Sequence, residues 1–269
     1  MKLIVLSDIH LTVEGRPIIG INPSERLDLA LAHAGRHHPD AARYVLLGDL
    51  AHLGQNRAYR ALAGRMNALG KPFTPMLGNH DNRENFRKAF PTAPDDGAGF
   101  VQSHLDTATD RLIFLDTLHP EATPHHSGHL CAARLGWLER ALNGAGGRRI
   151  SVFMHHPPLA VGFPGMDAIA LANPADFWAI AKGKIAHLFC GHVHRTISGH
   201  THGAGFSIFK SPAHQMPMDM TSADSAISVA EPGAYGIILL NDDAIIAHSE
   251  DFTGGESVAF IPTRYPGAG

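Results

Sequence analysis

The stretch that decides the fold is Leu3-Ile4-Val5-Leu6-Ser7-Asp8-Ile9-His10, in which an apolar run leads directly into an Asp-x-His motif. A short apolar run bounded by polar or turn residues is typical of a strand buried in a covered sheet. The motif therefore follows the carboxyl end of a strand. Loops from neighbouring strands converge at that edge of an α/β sheet, which makes it a common place for a functional site.

The same arrangement recurs four more times along the chain. In each case an apolar or β-branched run is followed at once by a short polar signature. These signatures are Gly48-Asp49 after residues 43–47, Gly78-Asn79-His80-Asp81 after 72–77, His155 after 150–154, and Gly191-His192-Val193-His194 after 184–190. Collected at one sheet edge, they supply carboxylate, imidazole and amide ligands, which predicts a pocket for two divalent cations.

Helix signals lie between these strand signals in the first two-thirds of the chain. Apolar residues recur at helical spacing after Pro23-Ser24, where we expect Ser24 to cap the first helix and Gly35 to end it. Gly70 is expected to end the second helix in the same way. The predicted helices cover residues 24–35, 56–69, 82–90 and 134–142.

Strand signals dominate elsewhere. Residues 99–104 and 111–116 have the pattern of an antiparallel pair. After residue 185, strand signals are joined by short turns, with Asn241-Asp242-Asp243 as a hairpin connector. Two βα-rich halves that each end in a β-meander predict an α/β fold, a four-layer αββα sandwich of two mixed β-sheets flanked by helices.

The composition is that of an ordinary globular protein. The chain has 269 residues, of which 44% are hydrophobic and 17% charged, and its formal net charge is −3. Because nucleic-acid polymers and anionic membranes bind basic surfaces, this charge balance argues against both as stable partners. The 20 histidines are compatible with a metal site, but their number alone does not establish one.

We expect one catalytic domain over residues 1–250, followed by a C-terminal tail over 251–269. Residues 215–232 show no clear periodicity, and we expect them to form a flap or a contact in a homo-oligomer. The amino-terminal apolar run reaches Asp8 too soon for a secretory or membrane-spanning helix. With only two cysteines there is no basis for a disulfide framework, so the expected location is cytoplasmic.

Two adjacent cations need a shared ligand that cancels charge between them, and Asp49 is our candidate. Two such ions, roughly 3.5–4 Å apart, hold a hydroxide between them for in-line attack on a phosphoryl group. His80 follows a candidate ligand without being needed as one, so we expect it to donate to the leaving oxygen. Mixed oxygen and imidazole ligation suits Mn²⁺, Fe²⁺, Co²⁺ or Zn²⁺.

The order of the five signatures resembles that of the binuclear metallophosphoesterase, or calcineurin-like, superfamily. Three segments are similar to those of its class III cyclic nucleotide phosphodiesterase and glycerophosphodiester phosphodiesterase branch. They are Ser7-Asp8-Ile9-His10-Leu11, Met154-His155-His156-Pro157-Pro158 and Cys190-Gly191-His192-Val193-His194. The resemblance covers about residues 1 to 250.

The resemblance implies a role for each motif residue. The first metal would be held by Asp8, His10, Asp49 and His194, and the second by Asp49, Asn79, His155 and His192. His80 would face the leaving group and, with Asn79, contact the substrate. The segment Ser211-Pro212-Ala213-His214-Gln215 is similar to one that carries a further histidine in the glycerophosphodiesterase branch, so His214 is a candidate substrate contact.

Taken singly, these residues have ordinary explanations. An isolated Asp8 or Asp49 reads as a turn carboxylate or a helix cap, and a lone histidine is more often structural. Seven ligand-type residues in the right order favour the metal site. His52 lies in the loop after Asp49, where it is within reach of a substrate, and His156 is expected to pack or to orient His155. No role is assigned to His37, His38, His125, His126, His129, His200 or His202.

The sequence therefore predicts a metal-dependent phosphodiesterase acting on small phosphodiester substrates such as glycerophosphodiesters or cyclic nucleotides. Two alternatives stay open, a phosphomonoesterase of the same fold and a non-catalytic scaffold. A scaffold would be expected to lose metal ligands, and no expected ligand is missing from this sequence. The loops at 12–23 and 119–129 are where we expect specificity to be set.

Overall fold

The computed structural model describes residues 1–254, so the predicted tail lies mostly outside the described residues. Within this part of the chain the strands are β1 (Lys2–Leu6), β2 (Arg43–Leu47), β3 (Phe73–Met76), β4 (Ser103–Asp106), β5 (Asp110–Leu115), β6 (Arg149–Met154), β7 (His187–Cys190), β8 (Ile197–Thr201), β9 (Ala204–Ile208), β10 (Ala234–Leu240) and β11 (Ile245–Asp251). Each polar signature follows one of them, namely β1, β2, β3, β6 or β7.

The helices of the described residues are α1 (Pro23–His37), α2 (Asn56–Leu69), α3 (Arg83–Ala89), α4 (Ala132–Asn143), α5 (Pro164–Asp167) and α6 (Pro174–Ala181). Gly70 ends α2 with a left-handed φ of 66°, as predicted. The cap of α1 was predicted wrongly, because the side chain of Asn22 accepts from Ser24 N at 3.0 Å. The helix also continues past Gly35. None of these helices is long and apolar enough to cross a membrane.

The strands form two mixed sheets. The first has the order β11-β10-β1-β2-β3 and the second β4-β5-β6-β7-β9-β8. In the first sheet β1, β2 and β3 run parallel, and β10 lies antiparallel to β1 with Ile237 opposite Ile4. In the second sheet the inner strands run parallel and both edge strands are antiparallel. The predicted sandwich of two mixed sheets flanked by helices is confirmed.

The last hairpin belongs to the first sheet. β10 and β11 join the first sheet beside β1, so the C-terminal part of the chain does not simply extend the second sheet. Without β10, the apolar strand β1 would be an edge strand with unpaired backbone groups. Pairing with β10 makes β1 an inner strand, which fixes the position of the Asp8 loop that follows it.

β1 is buried on both of its faces. Leu3 and Val5 face the second sheet, where they share an apolar core with Phe153 of β6. Ile4 and Leu6 face the opposite way and pack in the core that contains apolar residues of α1 and α2. Because successive strand residues point to opposite faces, a strand covered on both sides reads as a continuous apolar run. This explains why the signal at the amino terminus is so strong.

The segment 215–232 is anchored in two places. Gln215 and Val229 pair across it, with backbone hydrogen bonds of 3.0 and 2.8 Å. Between them, the carbonyl oxygen of Ser222 accepts from the backbone N of Gly165 in α5 at 3.2 Å. These contacts hold the segment as a defined loop against the helix that follows β6.

Candidate metal centre

The polar signatures meet at the carboxyl ends of β1, β2, β3, β6 and β7. Several of the predicted ligands have a left-handed backbone, with φ between 49° and 70°: Asp8, His10, Asp49, His192 and His194. This conformation costs free energy for a residue other than glycine, and such residues concentrate at functional sites where the surrounding structure holds them. The strained turns direct these side chains from separate strand ends toward one centre.

Two glycines of the signatures allow the loops to approach closely. A Cβ atom at Gly78 would collide with a carboxylate oxygen of Asp49, and one at Gly191 would collide with the hydroxyl of Ser7. Both positions therefore need glycine because the loops from different strands touch there.

The first predicted ligand set converges tightly. Nε2 of His194 lies 3.2 Å from Oδ1 of Asp8 and 3.1 Å from Nε2 of His10. Nε2 of His10 lies 3.6 Å from Oδ2 of Asp49. Neighbouring ligand atoms around an ion with bonds of about 2.1 Å are separated by roughly 3.0–3.5 Å. These four buried side chains therefore have the spacing that a divalent cation requires.

The second predicted set is assembled in the same way. Oδ1 of Asn79 lies 2.9 Å from Nδ1 of His192 and 3.2 Å from Nε2 of His155. Nε2 of His155 lies 3.5 Å from Oδ2 of Asp49, the same oxygen that faces His10 in the first set. The structure thus brings all seven predicted ligands together, with Asp49 common to both sets.

Backbone donors hold the two carboxylates. The N–H of His80 donates to Oδ1 of Asp49 at 2.8 Å, which leaves Oδ2 directed at the imidazoles. Asp8 accepts from the hydroxyl of Ser7 and from the backbone N of His192 at 3.1 Å. The orientation of both acids is therefore set by the loops themselves.

Asp81 joins the loops that follow β2 and β3. Its carboxylate accepts from the backbone N of Gly78 at 2.8 Å, from that of Leu50 at 3.1 Å, and from the hydroxyl of Tyr59 at 2.8 Å. Burial, together with the nearby charge of Asp49, raises the pKa of Asp81 to about 6. Asp81 positions the Asp49 and Asn79 loops and does not face the centre as a ligand.

The imidazoles are oriented by their outer nitrogens. Nδ1 of His155 donates to the carbonyl oxygen of Leu47 at 2.9 Å, and Nδ1 of His194 donates to that of His214 at 2.8 Å. In the neutral form of both rings, Nε2 is then the nitrogen without a proton, and it faces the centre. This pattern is the usual one for histidines that bind metals.

The electrostatics of the cluster favour positive charge at its middle. Burial opposes protonation of His155, but Asp49 and Asp8 outweigh it and raise the pKa of His155 to about 9. Burial also opposes ionisation of Asp49, yet His155 and His80 hold the pKa of its carboxyl well below its usual range. A donor set of this composition fits a pair of divalent metal ions.

A cavity of about 330 Å³ opens onto the cluster, and both predicted substrate-contact histidines line it. Nδ1 of His80 donates to the carbonyl oxygen of His52 at 2.8 Å, so Nε2 is its free nitrogen. His214 is buried beside His194, and its Nδ1 has no hydrogen-bond partner in the described part of the chain. Burial and His194 lower the pKa of His214 to about 3, which keeps its ring neutral.

His126 belongs to the site, although no role was predicted for it. Its Nδ1 accepts from Nδ2 of Asn79 at 2.9 Å, and its ring stacks on His80 with centroids 4.8 Å apart. No motif surrounds His126, so only the folded loop reveals the contact. His52, which the sequence left open, lines the cavity and lies 3.3 Å from Nδ1 of His10.

His156 packs behind the site. It is fully buried, its Nδ1 lies 2.7 Å from the hydroxyl of Thr117, and its Nε2 donates to the carbonyl oxygen of His126 at 3.1 Å. Just beyond the end of β6, His155 thus faces the centre while His156 supports the loop that carries His126.

Comparisons with known proteins point to one family. Residues 1–196 match the family model described as calcineurin-like phosphoesterase. A probable cyclic nucleotide phosphodiesterase of Rhodopseudomonas palustris is 42% identical over 255 residues, which cover 94% of this chain and 93% of that protein. A glycerophosphodiester phosphodiesterase of Enterobacter lignolyticus is 29% identical over 225 residues, which cover 81% of this chain and 79% of that one.

The fold also resembles that of a solved structure. The crystal structure of a dimetal phosphatase from Danio rerio superimposes with a TM-score of 0.70 at 13% sequence identity. The match covers 94% of this chain and 96% of the other. At that identity the likeness concerns the arrangement of sheets and helices.

Proposed function

The chain belongs to the calcineurin-like phosphoesterase family, and from that premise we propose that it is a metal-dependent phosphodiesterase acting on small phosphodiesters. Relatives matched over most of its length are named as phosphodiesterases of cyclic nucleotides and of glycerophosphodiesters, and these are the proposed substrate classes. The observation that carries the proposal is the position of Asp49, whose Oδ2 lies 3.6 Å from His10 and 3.5 Å from His155.

The proposed first metal site consists of Asp8, His10, Asp49 and His194, and the second of Asp49, Asn79, His155 and His192. When bound, two divalent ions would supply a nucleophile derived from water at neutral pH and polarise the phosphoryl oxygen. Asp49 contributes negative charge between the two sites, and the N–H of His80 keeps that carboxylate in place.

We assign the leaving-group side of the reaction to His80. Its Nδ1 donates to the carbonyl oxygen of His52, which leaves Nε2 facing the cavity; in the doubly protonated ring, Nε2–H can pass its proton to the leaving oxygen. Donation of this kind contributes about 10²–10⁴-fold to a rate. Asn79 and His214 line the same cavity and are the other proposed substrate contacts.

The test compares a diester with a monoester. The protein is stripped of metal, reloaded with Mn²⁺, and assayed on bis(4-nitrophenyl) phosphate and 4-nitrophenyl phosphate. We expect a higher kcat/KM for the diester. A clear preference for the monoester would favour a phosphomonoesterase, and no turnover of either ester by a metal-replete sample would favour a non-catalytic scaffold.

The native metal is proposed to be Mn, Fe, Co or Zn, because all four accept carboxylate, amide and imidazole ligands. Reloading the metal-free protein with each ion in turn and measuring kcat on one diester ranks them. Metal analysis of protein purified without added metal then identifies the pair present in the cell.

Two further proposals concern the cellular location and the oligomeric state of the enzyme. Cys131 and Cys190 are both free thiols, which supports a cytoplasmic location that cell fractionation tests. Met218 and Met220 are exposed in the segment 215–232, which supports a contact between copies of the chain through that segment. Sedimentation of the protein with and without Met218→Ser measures this contact.

A further inference from the structure

The cavity above the metal centre has a polar floor and an apolar wall. Among the described residues that line it, no lysine, arginine or glutamate is present, and Asp49 of the floor is the only acid. No phenylalanine, tyrosine or tryptophan lines it in the described part of the chain either. The wall consists of the side chains of Ile18, Ile19, Met166, Ile169, Val193, Met216 and Ile227, with small residues between them.

Ile19 stands on this wall in an unfavourable conformation. It forms a two-residue turn with Gly20, with φ of 45° and 82°, closed by two 2.8 Å hydrogen bonds between Ile18 and Ile21. Turns with two positive φ values favour Asn-Gly, and a β-branched residue at positive φ is a clear outlier. Ile19 is nevertheless 49% exposed, so burial in a core does not explain it.

Ile227 is a second exposed apolar side chain on the same cavity. It is 43% exposed and lies in the loop that Gln215 and Val229 close. The loop is also tied to α5 through Ser222 and Gly165, so Ile227 is held beside the cavity by hydrogen bonds on both sides. Two separate segments of the chain thus expose an isoleucine above the same polar floor.

We infer that Ile19 and Ile227 form an apolar clamp that binds an uncharged alcohol substituent with a flat apolar face, such as a nucleoside or aryl group. This inference rests on the proposed function, because the clamp binds the alcohol part of a diester whose phosphoryl group would lie at the proposed metal centre. It makes the site selective for diesters of that class over those that carry a charged head group.

The composition of the lining explains why charged substituents are disfavoured. A quaternary ammonium group is usually held by aromatic rings, and a primary ammonium group by a carboxylate. Within the described lining, the acid available is Asp49, which is buried and engaged with the histidines of the centre. A choline or ethanolamine group would lose hydration on entering this cavity without a compensating partner.

The test uses Ile19→Asn in the metal-loaded enzyme. Because Asn-Gly is the preferred pair for this turn, we expect the Tm to stay equal or to rise by a few degrees. We expect kcat/KM for 3′,5′-cAMP and for bis(4-nitrophenyl) phosphate to fall roughly tenfold, mainly through KM, since the clamp provides binding energy. The value for glycerophosphocholine should change less than about twofold.

Two further variants complete the experiment. Ile227→Ser should reproduce the loss of Ile19→Asn on the same two substrates. The matched control is Leu53→Asn. Leu53 is 70% exposed and lines a neighbouring cavity, but it does not line the cavity above the metal centre. Leu53→Asn should leave all three substrates unaffected. The two flat substrates distinguish a nucleoside from an aryl group as the preferred occupant.

The outcomes separate the clamp from the underlying activity. If the wild type hydrolyses diesters but prefers glycerophosphocholine, or if Ile19→Asn slows all three substrates equally, the clamp is wrong and the phosphodiesterase stands. If the metal-replete wild type hydrolyses none of them, the proposed function falls and the clamp falls with it. A lower Tm for Ile19→Asn would show that Ile19 serves stability, which also overturns the clamp.

Discussion

Two histidine clusters of this molecule share a residue type but differ in their nearby carboxylates and in their backbone conformation. One is the metal centre, and the other lies on α1, where His33 and His37 are one helical turn apart with stacked rings 4.3 Å from centroid to centroid. His33 also lies 4.0 Å from Glu250 and 2.9 Å from the hydroxyl of Tyr235. Within residues 1–254, groups of three or more ligand atoms within 4.8 Å occur only around the centre.

The difference lies in the carboxylates and in the backbone. At the centre, Asp49 and Asp8 raise the pKa of His155, whereas on α1 burial and His37 lower the pKa of His33. Five of the seven predicted ligands are held by left-handed turns at strand ends, whereas the histidines of α1 have helical neighbours and an exposed face. Buried acids placed by strand ends, more than the number of histidines, distinguish a metal site.

The largest expected effect comes from removing the shared acid. Asp49→Asn takes away the charge between the two sites, so we expect metal content and turnover to fall together. Metal ions stabilise such a transition state by several kcal/mol, which corresponds to a loss of about 10³-fold in kcat. Elemental analysis and rates on bis(4-nitrophenyl) phosphate measure both quantities.

The matched control for this variant is Asp40→Asn, since Asp40 is an exposed acid that pairs with Lys2 at 2.8 Å far from the ligand set. It should leave both quantities unchanged. Full activity with two bound metals in Asp49→Asn would contradict the bridging assignment.

The next largest effect separates ligands from the leaving-group donor within the central cluster. His80→Ala should retain both metals, because His80 is adjacent to a ligand and is not one. Its rate on diesters with poor leaving groups should fall about 10²-fold, and on those with good leaving groups much less. Rates across a series of aryl and alkyl diesters give the dependence on leaving-group pKa. Equal slowing of all members would remove His80 from this role.

A third test uses a partly buried histidine, His187, for which the described residues provide no carboxylate partner. Burial lowers the pKa of His187 to about 4, and its Nε2 lies 3.0 Å from the hydroxyl of Ser207. The unfolded chain binds a proton at His187 near pH 6.5 while the folded chain does not, so stability falls as pH falls from 6.5 toward 4. Between pH 7.5 and pH 5 the contribution is about 2 kcal/mol.

Urea unfolding of the metal-free protein at the two pH values, for wild type and His187→Gln, isolates this contribution. The variant should lose less stability on acidification, because glutamine does not titrate. Identical losses would mean that His187 is not held neutral by burial.

The smallest effect is expected on α1. His37→Ala removes one ring of the stacked pair, and the acid beside this surface cluster, Glu250, is partly exposed, unlike the buried acids of the centre. Metal content and kcat should stay within about twofold of the wild type, as is usual for an exposed substitution. A drop in bound metal would show that the α1 cluster also binds an ion, and the proposed difference between the two clusters would be wrong.

Most of the fold was predictable because the strands that carry the polar signatures are buried on both faces over most of their length. Continuous apolar runs such as Leu3 to Leu6 identify buried strands without any tertiary information, and the polar signature after each run locates its carboxyl end. The destination of the last hairpin was not predictable, since the apolar pattern of β10 is compatible with an edge of either sheet. Only the need of β1 for a second partner decides it.

The candidate site was likewise predictable only in part. The predicted ligands lie in short motifs, and the structure brings them together as one cluster. His126 was missed because its contact with Asn79 depends on a long loop whose path no local pattern encodes. Ile19 was also invisible, since an isoleucine before a glycine gives no sign of its positive φ until the turn is folded.

The pairing of β10 with β1 has a consequence for how the molecule is made. During synthesis on the ribosome, β1 and β2 emerge early, but the partner on the other side of β1 emerges only after most of the chain has been translated. Contacts so distant along the chain form late in folding. A nascent chain therefore carries Asp8 on an incomplete sheet until β10 has emerged, and catalytic competence follows that pairing.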